Sequence, residues 1–287
     1  MSEHPERETI EPIKRPNTTI RTHLRACAAA FTFLTRIPAH RLVSHDTSDL
    51  SRASLYFPLV GCIVGLAGGI AYAAGTYLWP TALSVVLSVA VTVWMTGAFH
   101  EDALADALDG FGGGWGQAHI LAIMKDSRIG SSALIGVILV LAAKLEALTI
   151  IATAGATTDI LTAAAAVTKA LIAAHVLGRW SSLPLIWRQP YVRPDTPGER
   201  PSAGRPFVAG VTRGNVVLTS VASLMIVVAV LRGQALPVLI VAVLGTAIAD
   251  RYFAKHLGGI TGDALGAANQ LIELSVYLAL AARHVGT

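Results

Sequence analysis

The sequence predicts an all-α fold, a polytopic bundle of transmembrane helices. Three observations lead to it. Of 287 residues, 53% are hydrophobic and 14% charged, with a mean hydropathy of +0.59, far more apolar than a water-soluble domain of this length. The apolar residues gather into runs close to the ~20 residues that cross a bilayer as a helix. The connectors alternate between short, weakly charged links and long basic segments, as loops on opposite membrane faces do. A soluble all-α protein would need charged outer faces on its helices, which several of these runs lack.

Seven runs qualify as spans: 55–79, 81–99, 131–153, 160–178, 214–232, 236–250 and 266–283. Pro80, the link around Thr157 to Asp159 and the Arg232-Gly233-Gln234 turn divide them into hairpins. The other connectors are basic: Lys14, Arg15, Arg21 and Arg25 before the first run, Lys125 and Arg128 in 100–130, six arginines in 179–213, then Arg251 and Lys255. The positive-inside rule puts all four on the cytoplasmic side, with Arg232 the one charge against it. Residues 24–38, LRACAAAFTFLTRIP, are apolar but short for a span, and are expected as a re-entrant or interfacial N-terminal helix. Residues 1–22, polar and carrying Pro5, Pro12 and Pro16, lack the apolar stretch of a secretory signal and are expected to be a disordered tail. Residues 23–287 then form a single integral-membrane domain. The Pro/Arg-rich 187–206 stretch is expected as a loop, and Cys27 and Cys62 as small core residues.

The chemistry concentrates in HEDALADALDGFGGGWGQAHILAIMKDSRIG, His100 to Gly130. Asp102, Asp106 and Asp109 stand at i, i+4 and i+7, one face of a helix. Three carboxylates so placed repel unless a cation lies between them, and hard oxygen ligands suit magnesium, with manganese as a substitute. A solvated acidic face has the same spacing, but this one continues directly from an apolar span, where charge is costly and tends to be functional. Gly110, Gly112, Gly113 and Gly114 follow, a run expected to turn sharply and bring backbone N–H groups to an anion. A flexible loop has the same composition. Lys125 and Arg128 then supply cations for phosphate oxygens, and Asp126 either ligates metal or orients Arg128.

Polar residues also lie inside the runs: Lys144 and Glu146 in the third, Lys169 and His175 in the fourth, Asn269 and Glu273 at i, i+4 in the seventh. Each is costly in hydrocarbon without a partner. Lys144 is expected to reach an acidic group, and His175, near a span end beside Arg179, to sit at the interface. Asp263 lies in a second glycine-rich turn, which leads to Asn269 and Glu273 as a second wall of one polar cavity.

FLTRIP (33–38), FPLVG (57–61), H-x-D-x-L-A-D-x-x-D-G-F-G-G-G (100–114), IMKDSRIG (123–130), RW followed by PYVRP (179–194) and GGITGD-xx-GA (258–267) together resemble the cobalamin synthase family. The blocks occur in family order and cover most of the chain; the aspartate block and IMKDSRIG are the specific ones. Ala103 stands where a glycine is expected, and Glu101 where the family is often apolar. The resemblance implies a bacterial inner-membrane enzyme with its site facing the cytoplasm. The implied reaction joins adenosylcobinamide-GDP to α-ribazole, or its 5′-phosphate, by metal-dependent phosphoryl transfer with magnesium and GMP as leaving group. Asp102, Asp106, Asp109, Lys125 and Arg128 are then the candidate catalytic residues, with Asp126 and Asp263 as further candidate metal ligands. His100, Gly112, Gly113, Lys125, Arg128, Lys144, Arg179, Asn269 and Glu273 are the candidate substrate contacts. The lipid bilayer is the expected surrounding, no nucleic acid is expected, and homo-oligomers or association with other cobalamin-assembly enzymes are left open.

Two other readings compete. A CDP-alcohol phosphotransferase also uses aspartates at membrane helix ends, but Gly113 and Gly114 occupy the places of its Ala-Arg pair. A polytopic transporter would use Lys144, Glu146, Lys169 and Glu273 as a coupling-ion path, although the polar residues concentrate at one membrane face.

Overall fold

The computed structural model describes residues 19–39, 52–154, 159–192, 208 and 210–282. They form α1 (Thr19–Leu34), α2 (Phe57–Gly75), α3 (Thr81–Thr96), α4 (Phe99–Gly113), α5 (Gln117–Met124), α6 (Ser131–Thr153), α7 (Ile160–Arg188), α8 (Arg213–Leu231), α9 (Ala235–Leu257) and α10 (Gly262–Ala281). The all-α expectation holds among these residues, and each of the seven expected spans coincides with a helix.

Among the described residues five stretches can cross a membrane by length and composition, or six when the bent pair α3 and α4 counts as one span. The difference from seven has two physical sources. Arg213–Leu257 is one stretch of 45 residues, yet it contains α8 and α9, which fold back at Arg232, where φ is +51°. α3 is only 16 residues long, short for a span by itself.

α7 is the central element. Val167, Ala173, Ala174, Val176, Leu183 and Leu185 are fully buried along it, and α2, α8 and α10 pack on its different sides. Its first turn is capped by Asp159, whose Oδ1 accepts from Thr162 N at 2.7 Å. The helix runs ten residues past the apolar run, to Arg188, through Pro184; the loop expected from 187 therefore begins only at its end. α2 lies directly on α7. A Cβ on Gly61 would stand 2.3 Å from the carbonyl oxygen of His175, and one on Gly65 2.6 Å from Ile172 Cα. Only glycine permits that backbone approach, the small-residue packing that holds helices together in lipid.

α1 is the N-terminal helix expected at 24–38, though it starts at Thr19, inside the segment expected to be disordered; residues 1–18 lie outside the described ones. Its 16 residues reach about 24 Å, less than the ~30 Å hydrocarbon core. Ala29, Ala30 and Leu34 are buried against Phe57, Val60, Val64 and Leu183. Cys27 and Cys62 are half-buried free thiols.

One feature of the aspartate block departs from the sequence expectation. α4 does not continue the second span. Gly97 and Ala98 both adopt positive φ, +70° and +58°, and α4 leaves α3 at 87°. Left-handed backbone costs a non-glycine residue roughly 1–2 kcal/mol, so packing must hold Ala98 there. The carboxylates thus lie on a helix turned across the end of a span.

At this same end the chain ends of α7 and α9 are tied together. Arg188 Nε and Gln189 Nε2 donate to Asp250 at 3.0 and 2.8 Å. Pro190–Val192 pairs with Ile260, whose N–H donates to Pro190 O and whose carbonyl accepts from Val192 N, both at 2.9 Å. α10 starts immediately after, its N-cap Thr261 accepting from Ala264 N at 3.1 Å.

Candidate active site

α4 presents two faces. His100, Ala103, Leu104, Ala107 and Gly110 are buried, while Asp102 is exposed and Asp106 and Asp109 are half-exposed. The fit against α10 is tight, since a Cβ on Gly266 would lie 2.3 Å from that of Ala103. This is where Ala103 replaces the expected glycine, and Gly266 supplies the missing space.

The three aspartates share a face but not a role. Asp109 accepts the N–H groups of Gly130 at 2.6 Å and Ala133 at 2.8 Å, and so caps the start of α6 from another helix, satisfying donors that a helix N-terminus leaves open. A Cβ on Gly130 would fall 2.5 Å from Asp109 Oδ1, so the glycine is required for the contact. Among the described residues no three His, Cys, Asp or Glu side chains stand close enough together to hold a metal ion. Asp102 and Asp106 are one turn apart on the outward face. Magnesium characteristically takes one or two protein carboxylates and completes its shell with water and substrate phosphates, so that pair suits it.

The glycine run is helical through Gly113, and the N–H of Gly114 returns to Gly110 O at 2.9 Å. Gly112 and Gly113 therefore do not form the expected amide cradle. The smallness of Gly112 and Gly110 matters instead: a Cβ on Gly112 would meet Ser132 Oγ at 2.7 Å, and one on Gly110 would meet Met124 Cγ at 2.6 Å. The chain turns later, at Gly116, where φ is +79°.

Of the two roles open to Asp126, orientation of Arg128 is the one seen. Arg128 Nε donates to both carboxylate oxygens at 3.0 Å, and its backbone N–H to Oδ1 at 3.1 Å. The hydrogen bonds from Arg128 hold the Asp126 carboxyl down at about 2 and raise the guanidinium. The fork stands 87% exposed, presented outward on a preset side chain.

Two open pockets flank the short helix α5, and Gln117 borders both. One, of about 460 Å³, brings Lys125 and Asp263 together with Thr261. The other, of about 590 Å³, is walled by Phe111, Trp115 and Tyr252 and includes Gly112. The segments 100–117, 188–192 and 250–263 thus meet at one end of the bundle; residues 193–207 of the Arg-rich loop lie outside the described ones.

The remaining expected contacts come together elsewhere, inside the bundle. Lys144, Arg179, Asn269 and Glu273 are at most 4% exposed. Lys144 Nζ donates to Glu273 Oε2 at 2.9 Å and also to Gln270 Oε1. Arg179 Nη1 donates to Glu273 Oε1 at 3.3 Å. His175 is buried rather than interfacial, its Nδ1 2.8 Å from Glu273 Oε1. Gln270 Nε2 reaches back to Glu101 at 3.1 Å, tying this cluster to α4. Together with His100 these groups, Asn269 excepted, line a cavity of about 10 Å³, room for roughly one water molecule. Arg179 Nε and Nη2, His175 Nε2 and Glu101 Oε2 are buried without a hydrogen-bond partner among the described residues. Sequence reasoning missed Gln270 and misplaced His175. The available signal for Gln270 was its spacing, since Gly266, Asn269, Gln270, Glu273 and Tyr277 fall on one helical face. Glu146 and Lys169 are exposed, so they do not join the buried Lys144 and Glu273 in a line of charge through the bundle.

The arrangement defines a multi-pass helical membrane protein with carboxylates and cations gathered at one end of the bundle. The chain belongs to the cobalamin-5-phosphate synthase family, whose model matches residues 26–281. It is 35% identical over 265 residues to the adenosylcobinamide-GDP ribazoletransferase of Shewanella amazonensis, covering 92% of this chain and 97% of that one. It is 38% identical to the protein of that name from Shewanella frigidimarina, over 88% of this chain and 92% of the relative. With the one from Shewanella oneidensis it shares 37% identity, over 88% and 91%. No solved structure matches the chain.

Proposed function

We propose that this protein joins adenosylcobinamide-GDP to α-ribazole, or to its 5′-phosphate, releasing GMP, by metal-dependent phosphoryl transfer at the α4 end of the bundle. The observation that carries the reading is the Asp102/Asp106 pair on a helix turned across that end and packed on α5, which borders a pocket holding Lys125 and Asp263. The relatives' names supply the substrate class.

In the proposed step an acceptor hydroxyl attacks the phosphorus borne by the cobinamide, the bond to the GMP oxygen breaks, and the hydroxyl proton passes to solvent or base. Asp102 and Asp106 would hold magnesium, which when bound supplies neutralisation of pyrophosphate charge. Lys125 and the Asp126-oriented Arg128 bind the donor phosphates and offset the charge that gathers on the leaving group. Asp109 acts by position, fixing the start of α6 against α4. The Lys144–Glu273 cluster does likewise from the other side, through Gln270 and Glu101.

The basic residues Arg188, Arg251 and Lys255 share this end, where Arg188 pairs with Asp250 and Lys255 borders the 590 Å³ pocket. By the positive-inside rule that supports a cytoplasmic site in a bacterial inner membrane. A mass-resolved assay should find GMP released from adenosylcobinamide-GDP only when α-ribazole or its phosphate is supplied. Acceptor-independent release, or none with either acceptor, would refute the proposal.

A further inference from the structure

Beyond that reaction, and resting on it only for the identity of the ligands, we propose that the 590 Å³ pocket between the C-terminal ends of α4 and α9 binds a planar bicyclic base. It is either the guanine of the donor or the benzimidazole of the acceptor, and both offer the same chemistry, a flat aromatic face with nitrogens at its edge.

The pocket is of ligand size and its wall is aromatic. Phe111 packs edge-on to Tyr252 with ring centres 4.9 Å apart, and edge-on to His256 at 6.2 Å. Behind it the buried Phe253 stacks on Phe111 at 6.0 Å, with planes 13° apart, and holds it in place. Tyr252 and His256 lie 4.1 Å apart, and the ring orientation of His256 is set by a 2.8 Å hydrogen bond from Nδ1 to Tyr252 O. Trp115 stands 89% exposed at the rim.

The opposite sides are open and low. At Gly116 none of the described residues lies within 4 Å of where a Cβ would be, and at Gly258 a Cβ would come no closer than 3.7 Å to Gln117. A flat ring can therefore slide between backbone and aromatic wall. Among the described residues no Asp or Glu lines the pocket, while Gln117, Lys255 and His256 do, so this part of the wall sets no repelling carboxylate against a nucleotide. Gln117 also borders the Lys125/Asp263 pocket, which lets one molecule place its base here and its phosphates across α5. Trp and Tyr also collect at membrane interfaces; these rings instead turn edges and faces to one another around a concavity.

The test uses the full chain in lipid nanodiscs, with Trp115 as reporter. GMP and α-ribazole are titrated separately, with inorganic phosphate as the control. One of the two should quench tryptophan emission, and the response should vanish in Trp115→Phe. Tyr252→Ala should raise the KM for the substrate carrying that base about ten-fold, the scale of one lost base stack, and leave the other KM unchanged. Tyr252→Phe, which keeps the ring, should restore it. Quenching by phosphate alone, by brominated lipid chains but neither nucleoside, or no change of either KM in Tyr252→Ala would overturn the proposal. Base binding in a protein that releases no GMP would uphold the pocket and refute the transfer reaction.

Discussion

Lys144 of α6 and Glu273 of α10 meet at 2.9 Å in the interior of the bundle, with 5% and 1% of their side chains exposed. Glu273 also receives Arg179 and contacts His175, so three basic groups converge on one carboxylate. Breaking a buried pair by removing one partner costs about 3–5 kcal/mol, because the other charge stays desolvated. Glu273→Gln should therefore lower thermal stability in detergent more than Lys144→Met does. Equal losses would mean that the contacts from Arg179 and His175 contribute nothing.

Asp109 and Asp102 separate structure from chemistry on one helix. Asp109→Ala removes the acceptor for Gly130 and Ala133 and should cost about 1 kcal/mol, the usual value of a lost cap. Asp102→Asn should leave the unfolding midpoint unchanged. Matching unfolding midpoints for Asp109→Ala and the parent protein would show that the contact does not anchor α6.

The close approach of α2 to α7 predicts a steep size dependence at Gly65. An added methyl would stand 2.6 Å from Ile172 Cα, backbone that cannot swing aside. Gly65→Ala should destabilise by about 1–3 kcal/mol, and Gly65→Leu should abolish recovery of a monodisperse protein in detergent. Normal recovery of the leucine variant would contradict the packing.

Much of the fold was legible because hydrocarbon thickness imposes a length on apolar runs, and all seven coincide with helices. The break at Gly97–Ala98 was not legible, since nothing in Ala98 signals positive φ; tertiary packing imposes it. His175 looked interfacial because the apolar run ends at 178, yet α7 continues to Arg188 and carries that position inside. Asp102 and Asp106 could be read from helical spacing alone. The cap made by Asp109 could not, as its partners lie 21 and 24 residues away. The Gly61, Gly65, Gly69 spacing was open to reading and marks the α2–α7 seam.

The Asp126–Arg128 pair predicts a pH-insensitive, salt-sensitive donor site. With the Asp126 carboxyl held at about 2, below its ordinary 3.8, the pair is intact above the ordinary value and is lost only as pH falls through about 2. Donor KM should thus show no inflection from this pair near neutrality, and should rise with ionic strength because both groups face solvent. Arg128→Lys keeps the charge and loses the fork, so its donor KM should rise with kcat little changed. An unchanged donor KM would assign Arg128 to topology alone.

GMP release by the Asp102→Asn and Asp106→Asn variants, measured at saturating donor and acceptor across a magnesium titration, decides whether this pair holds the catalytic ion. Each exchange keeps the size of the side chain and removes the charge that would hold the ion. A metal held by this pair requires folded, membrane-inserted protein with turnover abolished, or restored only at magnesium levels far above those the parent requires. Near-parental turnover of both variants at limiting magnesium would contradict it.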